Sequence, residues 1–492
     1  MRSIAGRAAG LLAACGLLTS LCSARDIYVA TTGTDASGRG DSTNPYRTIK
    51  YAIAQGTSGD TIHVRAGTYN ESWIVVKSGQ TLISEDGRWA AKVNAGGGVT
   101  FRFEAGCTNA EVNGFEVYST YGSGNLSDGL VRAYNCNDIR IRNMLVHDAP
   151  RDGDCIKVGG AGYTTTNVVL DGCVVYNPAP RDGATGYQEC VDFYPATRCT
   201  IRNSWLYHTA ARGGDALTFC KGGCVDILWE NNVFGPVYAG TGDNASCMAG
   251  GPSPAVYPAC TNFTARNNLF LECTGDGAFG ILGVRNCYFY NNIIWGYKGG
   301  RAAIEFWTAL PGGPANENCQ FYNNIVMNQP TRPVFSDRGY APAVLLRDYN
   351  IYYQTSGYGI PGSEPHTVTT NPQLTAPATP VPGTDTWASV VSRFRPLPIS
   401  IAVDAGTDLG SLVPADINGV PRPIDQFDIG PYEVLVGDVT ADGHVDAGDL
   451  LVFAASWGRS SGEGGYDASC DFNADYRVDV SDLLKMAANW GR

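Results

Sequence analysis

The sequence is poor in charged residues. Asp, Glu, Lys and Arg make up only 17% of its 492 residues, and the acidic residues outnumber the basic ones to give a net charge of -12. Electrostatic binding of nucleic acid needs a basic surface, so this charge argues against that class of function. Helix bundles and coiled coils are typically richer in charge, whereas 61 glycines, 26 prolines and 26 tyrosines favour an all-β protein with many turns.

Long apolar runs are also missing outside the N-terminus. An apolar stretch over residues 8–21 follows two arginines and ends at small residues, with cleavage expected after Ala24. This pattern predicts a signal peptide over residues 1–24 and therefore a secreted or cell-surface protein. Lipoprotein processing at Cys15 is the alternative. No other stretch reaches the ~18 apolar residues that a membrane-spanning helix needs, so no transmembrane segment is predicted in the mature chain.

A repeated phrase organises the rest of the chain. It occurs as DIRIRN (138–143), NVVLDG (167–172), DILWEN (226–231), NFTARN (262–267) and NCYFYN (286–291). The last residue of each phrase is taken as an anchor, and Gly114, Asn203, Asn323 and Asn350 extend the series to nine anchors spaced 24 to 36 residues. The residues five positions before an anchor include Asn109, Asp138, Asn167, Asp226, Asn262, Asn286 and Asn318, residue types that cap turns.

Between these turns and the anchors the chain alternates between apolar and polar residues. Ile139 and Ile141, like Ile227 and Trp229, occupy the inward positions of this alternation. Strands of period two at a fixed repeat predict a solenoid, in which each rung buries its apolar face against its neighbours. The predicted fold is all-β, a right-handed parallel β-helix of about 9–11 rungs over residues 25–433.

Fourteen cysteines follow the signal peptide, and export makes disulfide bonds possible for them. Cys247 and Cys260, on either side of an inserted loop, are the best candidate pair. Cys107, Cys136, Cys224 and Cys260 all fall seven residues before an anchor. Stacked apolar side chains and disulfide bonds between adjacent rungs are both open interpretations of that spacing.

The two ends of the solenoid carry phrases of secreted β-helix proteins. Residues 28–53 and 59–72 resemble the N-terminal cap and first rung of such proteins, particularly polysaccharide lyases and pectinesterase-like chains. INGVPRP (417–423) and DIGPYE (428–433) resemble the common C-terminal segment of extracellular β-helix proteins. The resemblance spans residues 26–433 and implies an architecture and an extracellular location, not one chemistry.

Two acidic loops close the sequence. A 12-residue calcium loop places oxygen ligands at positions 1, 3, 5, 9 and 12, a carbonyl at position 7 and Gly at position 6. The predicted ligands are Asp438, Thr440, Asp442, His444, Asp446 and Asp449 in one loop and Asp471, Asn473, Asp475, Arg477, Asp479 and Asp482 in the other. His444 and Arg477 serve through their carbonyls, and an amphipathic helix follows each loop. Residues 434–492 hold 10 acidic and 4 basic residues, so this segment needs cations to fold stably.

Two such loop–helix units resemble a dockerin domain, small and α-helical, over residues 437–492. The resemblance implies Ca²⁺ as cofactor and a cohesin-type module as partner. The residues implied in cohesin recognition are Ala447, Gly448, Val480 and Ser481. Thr440 replaces the usual Asn or Asp, and Tyr476 stands where Gly makes the turn, so one or both sites are expected to be weakened. A calcium-stabilised tail without a cohesin partner is the alternative.

Acidic residues recur on three consecutive rungs of the predicted solenoid. DCIKV (154–158), ECVDF (189–193) and DALTF (215–219) are similar phrases. Their alignment places Asp154, Glu189 and Asp215 in one column and Lys157, Asp192 and Thr218 in another. Rungs lie ~4.8 Å apart, so like charges at this spacing repel by several kcal/mol unless a cation, an arginine or a proton offsets them.

This arrangement resembles the calcium-plus-lysine sites of the pectate and alginate lyase families. The resemblance implies β-elimination on an acidic, uronate-containing polysaccharide, with Ca²⁺ neutralising the uronate and acidifying its C5 proton. The implied ligands are Asp152, Asp154, Glu189 and Asp192, with Lys221 as catalytic base and Arg212 neutralising the substrate carboxylate. Lys157 is an alternative base. A structural network with Arg151, Arg181 and Arg212 is the non-catalytic interpretation of the same residues.

Other functions of the solenoid fit less well or differently. Polygalacturonase-type hydrolysis needs paired carboxylates and that family's Gly-His-Gly phrase, which the sequence lacks. A non-catalytic glycan-binding or scaffold protein would need an exposed aromatic face, which stacks on sugar rings. The candidates for that face are Tyr288, Tyr290, Tyr322, Tyr349, Trp295 and Trp307. In either case the protein is expected to act as a monomer.

Overall fold

The computed structural model describes residues 24–120, 128–150, 153–160, 162, 165–178, 188–209, 216–238, 245–251, 256–307 and 314–492. Most of this chain is a parallel β-helix with three sheets, named A, B and C below. Each turn of the helix contributes one strand to each sheet, and every strand pairs in parallel with the strand of the next turn. The predicted fold class is therefore confirmed, with 10 to 12 strands per sheet among the described residues.

The strands of sheet A are Asp26–Val29, Thr61–Val64, Thr81–Ser84, Thr108–Asn113, Asn137–Arg142, Thr166–Asp171, Thr197–Arg202, Cys224–Glu230, Cys260–Arg266, Val284–Tyr290, Glu317–Tyr322 and Leu345–Asp348. Those of sheet B are Gly67–Tyr69, Ala91–Asn94, Glu116–Tyr118, Leu145–His147, Val174–Tyr176, Trp205–Tyr207, Val233–Phe234, Leu269–Leu271, Ile293–Trp295, Ile325–Gln329 and Ile351–Thr355. Those of sheet C are Ile74–Val76, Phe101–Phe103, Gly129–Ala133, Asp154–Val158, Glu189–Phe193, Ala216–Cys220, Cys247–Gly250, Gly277–Leu282, Ala302–Trp307 and Phe335–Asp337.

Asparagine and aspartate side chains hold the turns in register. The predicted Asn/Asp residues are the second or third residues of their sheet A strands, and all adopt left-handed backbone conformations, with φ between 47° and 61°. Their side chains also bond from turn to turn, as Asn262 Nδ2 donates to Asp226 Oδ1 over 2.8 Å and Asn286 Nδ2 donates to Asn262 Oδ1 over 2.8 Å. The predicted Asn/Asp ladder is therefore present, although its members lie within the strands and not in the turns between them.

A second, buried asparagine ladder follows the anchors. Asn232, Asn268, Asn292, Asn324 and Asn350 lie in consecutive turns, and each amide donates to the next side-chain oxygen over 3.0 to 3.2 Å. Asn350 belongs to this ladder, so its prediction as the ninth anchor is wrong by one residue. The anchor position is taken by Tyr349, because Asp348 pairs with Tyr322 in sheet A.

The 14 cysteines of the described residues are buried and form no disulfide bonds with one another. The predicted disulfide between Cys247 and Cys260 is wrong, because Cys247 lies in sheet C and Cys260 lies in sheet A. Cys224 and Cys260 are register neighbours within sheet A, yet both are free thiols. The interpretation as stacked apolar side chains is the one that the structure supports.

Helix α1, Ile49–Gln55, covers the N-terminal end of the β-helix, and Thr48 caps it by accepting the Tyr51 N–H. After the last turn, a segment with helix α2 (Trp387–Arg393) and a 3₁₀ turn (Gly410–Leu412) packs back on the solenoid. Its apolar residues Val390, Phe394 and Tyr432 bury the outer face of sheet B. This segment therefore closes a surface that the strands alone would leave exposed.

The C-terminal unit contains helix α3 (Ala447–Ser456), a 3₁₀ turn (Ala468–Cys470) and helix α4 (Val480–Ala488). It has its own small core, which includes Phe453 and Phe472. Arg395 of the preceding segment donates to the Asp438 carbonyl over 2.6 Å and so ties this unit to the β-helix. Among the described residues, no helix combines the length and apolar character that crossing a membrane requires.

Candidate functional site

The candidate site lies on three consecutive strands of sheet C, Asp154–Val158, Glu189–Phe193 and Ala216–Cys220. Lys157 pairs with Asp192, which in turn pairs with Phe219. The predicted alignment therefore holds between the first two strands and is wrong by one residue on the third. Thr218 pairs with Val191, and both side chains are fully buried inside the β-helix. Thr218, which was expected beside Asp192, therefore points inward.

Five charged side chains converge at this place. Lys157 Nζ lies 2.9 Å from Asp154 Oδ2 and 3.1 Å from Asp192 Oδ2. Lys221 Nζ lies 3.2 Å from Asp192 Oδ1 and 3.4 Å from Glu189 Oε1. Asp192 thus bridges the two lysines, and the sequence prediction that these acids and bases come together is met by the geometry. The five groups are named the acid–lysine cluster.

The carboxylates of the acid–lysine cluster are buried, whereas its lysines are half-buried. Asp154, Glu189 and Asp192 are 4%, 0% and 1% exposed, and the side chains of Lys157 and Lys221 are 17% and 13% exposed. Burial raises the pKa of Glu189 well above its ordinary value, because the neighbouring Lys221 only partly offsets the cost of a buried charge. Burial alone would raise the pKa of Asp192, but the two ammonium groups outweigh it and lower that pKa.

Burial works against the charged form of both lysines, and the carboxylates work in its favour. For Lys221, the charges of Asp192 and Glu189 prevail, so its pKa is raised above the ordinary value. The pKa of Lys157 is raised in the same way, by the charges of Asp154 and Asp192. The Lys221 ammonium also lies over the ring of Phe219, 4.7 Å from its centroid, a contact that the sequence analysis missed. Phe219 stands two residues before Lys221, where alternation would have placed it on the same face.

The cluster has the oxygen atoms that a hard divalent cation needs. Ligand oxygens of Asp154, Glu189 and Asp192 all lie within 4.8 Å of one another. Glu189 Oε2 is buried and accepts no hydrogen bond from the described residues, whereas the two Asp192 oxygens face the ammonium groups of Lys157 and Lys221. Unsatisfied buried carboxylate oxygens are costly, and Ca²⁺ prefers such ligands, so the residues present fit a calcium ion.

Several predicted site residues lie outside the described residues. Asp152, predicted as a ligand, and Arg212, predicted to neutralise the substrate carboxylate, are among them. The same holds for Asp215 and for Arg151 and Arg181 of the alternative ion-pair network.

The aromatic face expected for glycan binding is not an exposed platform. Tyr290 is buried beneath Val413 and Phe427 of the C-terminal segment, with Tyr288 and Tyr322 packed against the same cluster. Trp295 is buried against Phe394. Tyr349 stacks on His366, and Arg338 lies 3.8 Å from the centre of the Trp307 ring. The prediction of a flat aromatic binding face is therefore wrong, because other parts of the chain already cover these rings.

Backbone N–H groups arrange the first acidic loop. Asp438 and Asp449 are buried at its two ends, and Asp446 caps helix α3. The Asp449 carboxylate accepts from the N–H groups of Val439, Thr440 and Asp446 over 2.8 to 2.9 Å, and Asp438 accepts from those of Asp442 and Gly443 over 3.2 and 3.0 Å. Ligand oxygens of Asp438, Asp442 and Asp449 lie within 4.8 Å of one another, as the predicted calcium loop requires.

The second acidic loop repeats the first. Asp482 accepts from the N–H groups of Phe472, Asn473 and Asp479 over 2.7 to 3.2 Å, and Asp471 accepts from that of Tyr476 over 2.9 Å. Tyr476 adopts φ 68°, close to the φ 86° of Gly443 at the equivalent turn. The second loop therefore departs from the usual calcium loop by holding a non-glycine residue in a left-handed conformation. The Tyr466 hydroxyl also donates to Asp471 over 2.9 Å, a contact that the loop pattern did not reveal.

Comparison with known families places these two loops. Residues 436–489 match the sequence pattern of the family described as the dockerin type I domain. This segment of the chain is a dockerin domain. The match agrees with the predicted domain over residues 437–492 and accounts for the repeated loop–helix arrangement of the C-terminal unit. No curated protein sequence matches the chain.

The β-helix is similar to several solved structures at low sequence identity. The crystal structure of pectate lyase Pel9A has 13% identity and a TM-score of 0.50, over 85% of this chain and 98% of that chain. XylC in complex with xylose has 13% identity and a TM-score of 0.48, over 83% and 98%. PfbA, a surface adhesin of Streptococcus pneumoniae, has 13% identity and a TM-score of 0.44, over 63% and 86%. The likeness to Pel9A extends to the fold.

Proposed function

We propose that the protein is a secreted, calcium-dependent lyase that cleaves uronate-containing polysaccharide by β-elimination. The observation that carries the proposal is the acid–lysine cluster, in which three buried carboxylates and two lysines meet on consecutive turns. Such a concentration of ionisable groups is more typical of a working site than of a structural core. A β-helix similar in fold to a pectate lyase supports a polysaccharide as the substrate.

The reaction assigns one role to each part of the cluster. Because Asp192 and Glu189 raise the pKa of Lys221, the base forms only once these carboxylates hold a cation in its place and Lys221 releases its ammonium proton to water. The C5 proton of the uronate then passes to the neutral Nζ atom, the C5–H electron pair forms the C4=C5 double bond, and the C4–O bond breaks as the leaving oxygen takes a proton from water. Lys221 suits this role better than Lys157, because its nearest carboxylate oxygens lie at 3.2 and 3.4 Å, against 2.9 and 3.1 Å for Lys157. Lys157 is thus the more tightly paired cation and holds Asp154 and Asp192 in place.

Asp154, Glu189 and Asp192 would hold the calcium ion, and Asp152 was predicted to join them from the adjoining turn. When bound, Ca²⁺ supplies a partner for the uronate carboxylate and makes the adjacent C5 proton more acidic. Glu189 contributes an oxygen that accepts no hydrogen bond in the described residues, and Asp192 contributes the two oxygens that face the lysines.

An ultraviolet assay tests this proposal. The mature protein is mixed with pectate, alginate and glycosaminoglycans, with calcium or with chelator, and the absorbance of the unsaturated uronate product is followed. We expect a calcium-dependent rise on one substrate class, reduced about 100-fold or more in kcat by Lys221→Ala, as loss of a general base predicts. Lys92→Ala removes a lysine that is paired with Glu116 on sheet B, and serves as the matched control with unchanged activity.

No rise on any uronate polymer would contradict the lyase. A non-catalytic glycan-binding or scaffold protein is the second candidate, because the two lysines already offset most of the charge of the three carboxylates. It would be favoured by binding of oligouronates without any unsaturated product. Equal loss of activity in Lys157→Ala and Lys221→Ala would leave the elimination standing and reject the assignment of Lys221 as base.

For the dockerin domain, we propose that both loops bind Ca²⁺ and that the domain attaches the protein to a cohesin-type module. The exposed apolar residues Leu451, Val480, Leu484 and Trp490 on and after its helices fit a protein-binding surface. Titration with type I cohesins in calcium and in chelator tests this proposal. Binding only in calcium, weakened by Leu484→Asp, is expected; no binding to any cohesin would favour a calcium-stabilised tail.

A further inference from the structure

A row of basic residues continues sheet C from the acid–lysine cluster toward the N-terminal cap. Lys157 pairs with Arg132, and Arg132 pairs with Arg102 in the next strand. Arg102 pairs with Val75, which ends the row. Three consecutive turns thus place a cation at the same position of the sheet, with neighbouring strands ~4.8 Å apart.

Sheet A shows how charge is normally compensated in this molecule. There the equivalent column reads Arg142, Asp171, Arg202, Glu230 and Arg266, so opposite charges alternate from turn to turn. Arg202 lies 2.9 Å from Asp171, and Arg266 lies 2.6 Å from Glu230. In sheet A each charge is compensated by the next residue of the same column, whereas the basic row carries three cations in succession and needs acids from outside its column.

The acids that accompany the basic row stand beside it. Arg102 forms an ion pair with Glu104, Arg132 with Asp128 and Lys157 with Asp154. The two partners of each ion pair belong to the same turn of the β-helix. The Arg102 and Arg132 side chains keep 18% and 16% of their surface exposed. Each arginine is thus paired with an acid but is still partly exposed, so a carboxylate of a bound chain can reach it as a second partner.

Aromatic rings lie beside the same arginines. The Arg102 guanidinium lies 4.4 Å from the centre of the Trp73 ring, and that of Arg132 lies 3.8 Å from the centre of the Tyr134 ring. Trp73 is 49% exposed at the end of the row. Carboxylates pair with guanidinium groups and sugar rings stack on aromatic faces, so this combination suits an acidic sugar.

We propose that Arg102 and Arg132, with Trp73, bind successive sugars of an acidic polysaccharide that runs along sheet C from the acid–lysine cluster toward the N-terminal cap. The length of a pyranose unit in an extended chain is close to the spacing of the turns, so each turn meets about one sugar. From the strand before Lys221 to that of Arg102 there are five consecutive strands, which about five sugars span. The substrate class rests on the proposed function, but the binding row does not require catalysis.

Binding of oligouronates of increasing length tests the row. Calorimetric titrations are carried out in the Lys221→Ala background, so that no ligand is consumed. Arg132→Gln should weaken binding of the longer oligomers about 10-fold, and Arg132→Lys should recover most of that loss because it restores the charge. Arg102→Gln and Trp73→Ala should weaken hexamers about 3- to 10-fold and leave dimers unchanged, because dimers do not reach that far.

Arg202→Gln on sheet A is the matched control, with the same charge change and a comparable ion pair, and should leave all affinities unchanged. The proposal that the basic row binds the polysaccharide would be overturned if Arg102→Gln and Arg202→Gln changed the affinities equally. Losses of affinity that do not depend on oligomer length would overturn it as well. An active lyase whose KM for polymer is unchanged by Arg102→Gln and Arg132→Gln would overturn it too, while leaving the proposed function intact. Length-dependent binding without any unsaturated product would support the row and reject the lyase.

Discussion

The molecule contains two kinds of buried acid cluster, and they are held in different ways. In the dockerin loops, Asp449 and Asp482 each accept hydrogen bonds from three backbone N–H groups of their own loop. In the β-helix, Asp192 is held by two lysine ammoniums from neighbouring turns. Backbone donors are fixed by the chain path, whereas lysine side chains can turn toward another partner.

This difference teaches what each cluster is suited for. A loop whose backbone already positions the ligands needs only the ion, and its geometry survives in the absence of a substrate. A cluster held by mobile cations is satisfied without an ion and can exchange those cations for substrate or metal. The first arrangement suits a structural calcium site, and the second suits the catalytic site proposed above.

The largest expected effect comes from removing the acid that both lysines share. Asp192→Asn leaves Lys157 and Lys221 with one carboxylate each, and breaking a buried pairing in this way costs about 3–5 kcal/mol of the free energy of unfolding. Thermal unfolding of the β-helix measures it. Asp171→Asn on the surface of sheet A, where Arg202 is paired, should cost less than about 1 kcal/mol. Equal effects would mean that solvent screens the acid–lysine cluster as well.

The second-largest expected effect is a different response of the two clusters to the removal of calcium. With chelator, amide hydrogens of helices α3 and α4 should exchange rapidly, because the acidic loops then lack the ion that offsets their repulsion. The strands of sheets A, B and C should keep their protection, since lysines compensate the acids there. Hydrogen exchange followed by mass spectrometry distinguishes the regions. Loss of protection throughout the β-helix would show that its cluster, too, needs the ion for stability.

The smallest expected effect concerns the turn of the second loop. Tyr476 is exposed and holds φ 68°, a conformation that costs a residue with a Cβ about 1 kcal/mol, so Tyr476→Gly should tighten calcium binding several-fold. Gly443→Tyr at the matching turn of the first loop should weaken its site by a similar factor. Calcium titration of each variant checks both. Weaker binding in Tyr476→Gly would assign the tyrosine a contact that the turn needs.

The features that sequence alone predicted are those with local causes. The dockerin ligands follow a 12-residue spacing, and Asn262 and Asn286 each mark a left-handed residue at the same place in successive strands of sheet A. The meeting of Asp154, Glu189 and Asp192 follows from the repeat, although the residues are about 35 positions apart. Local chemistry repeated at a regular interval was therefore enough for the fold class and for most of the site.

The sequence predictions were wrong where contacts between distant parts of the chain determine strand register and side-chain burial. Thr218 is small and polar and is compatible with either face of a strand, so the DALTF phrase gave no warning that the register is shifted by one residue. Tyr290 is covered by Val413 and Phe427, more than 120 positions away, and alternation within its own strand cannot reveal that cover. Phe219 was missed as a site residue because the shifted register is what pairs it with Asp192.

The buried cysteines have a consequence for the environments in which the protein can operate. Burial raises the pKa of Cys173 and Cys199 to about 12, so their reactive thiolate forms are scarce at neutral pH. Thiols in that state neither exchange with disulfides nor oxidise readily. A fold built this way does not depend on redox potential: it needs no oxidase to mature, it withstands reductants that would open a disulfide-bonded protein, and an oxygen-free habitat imposes no penalty on it.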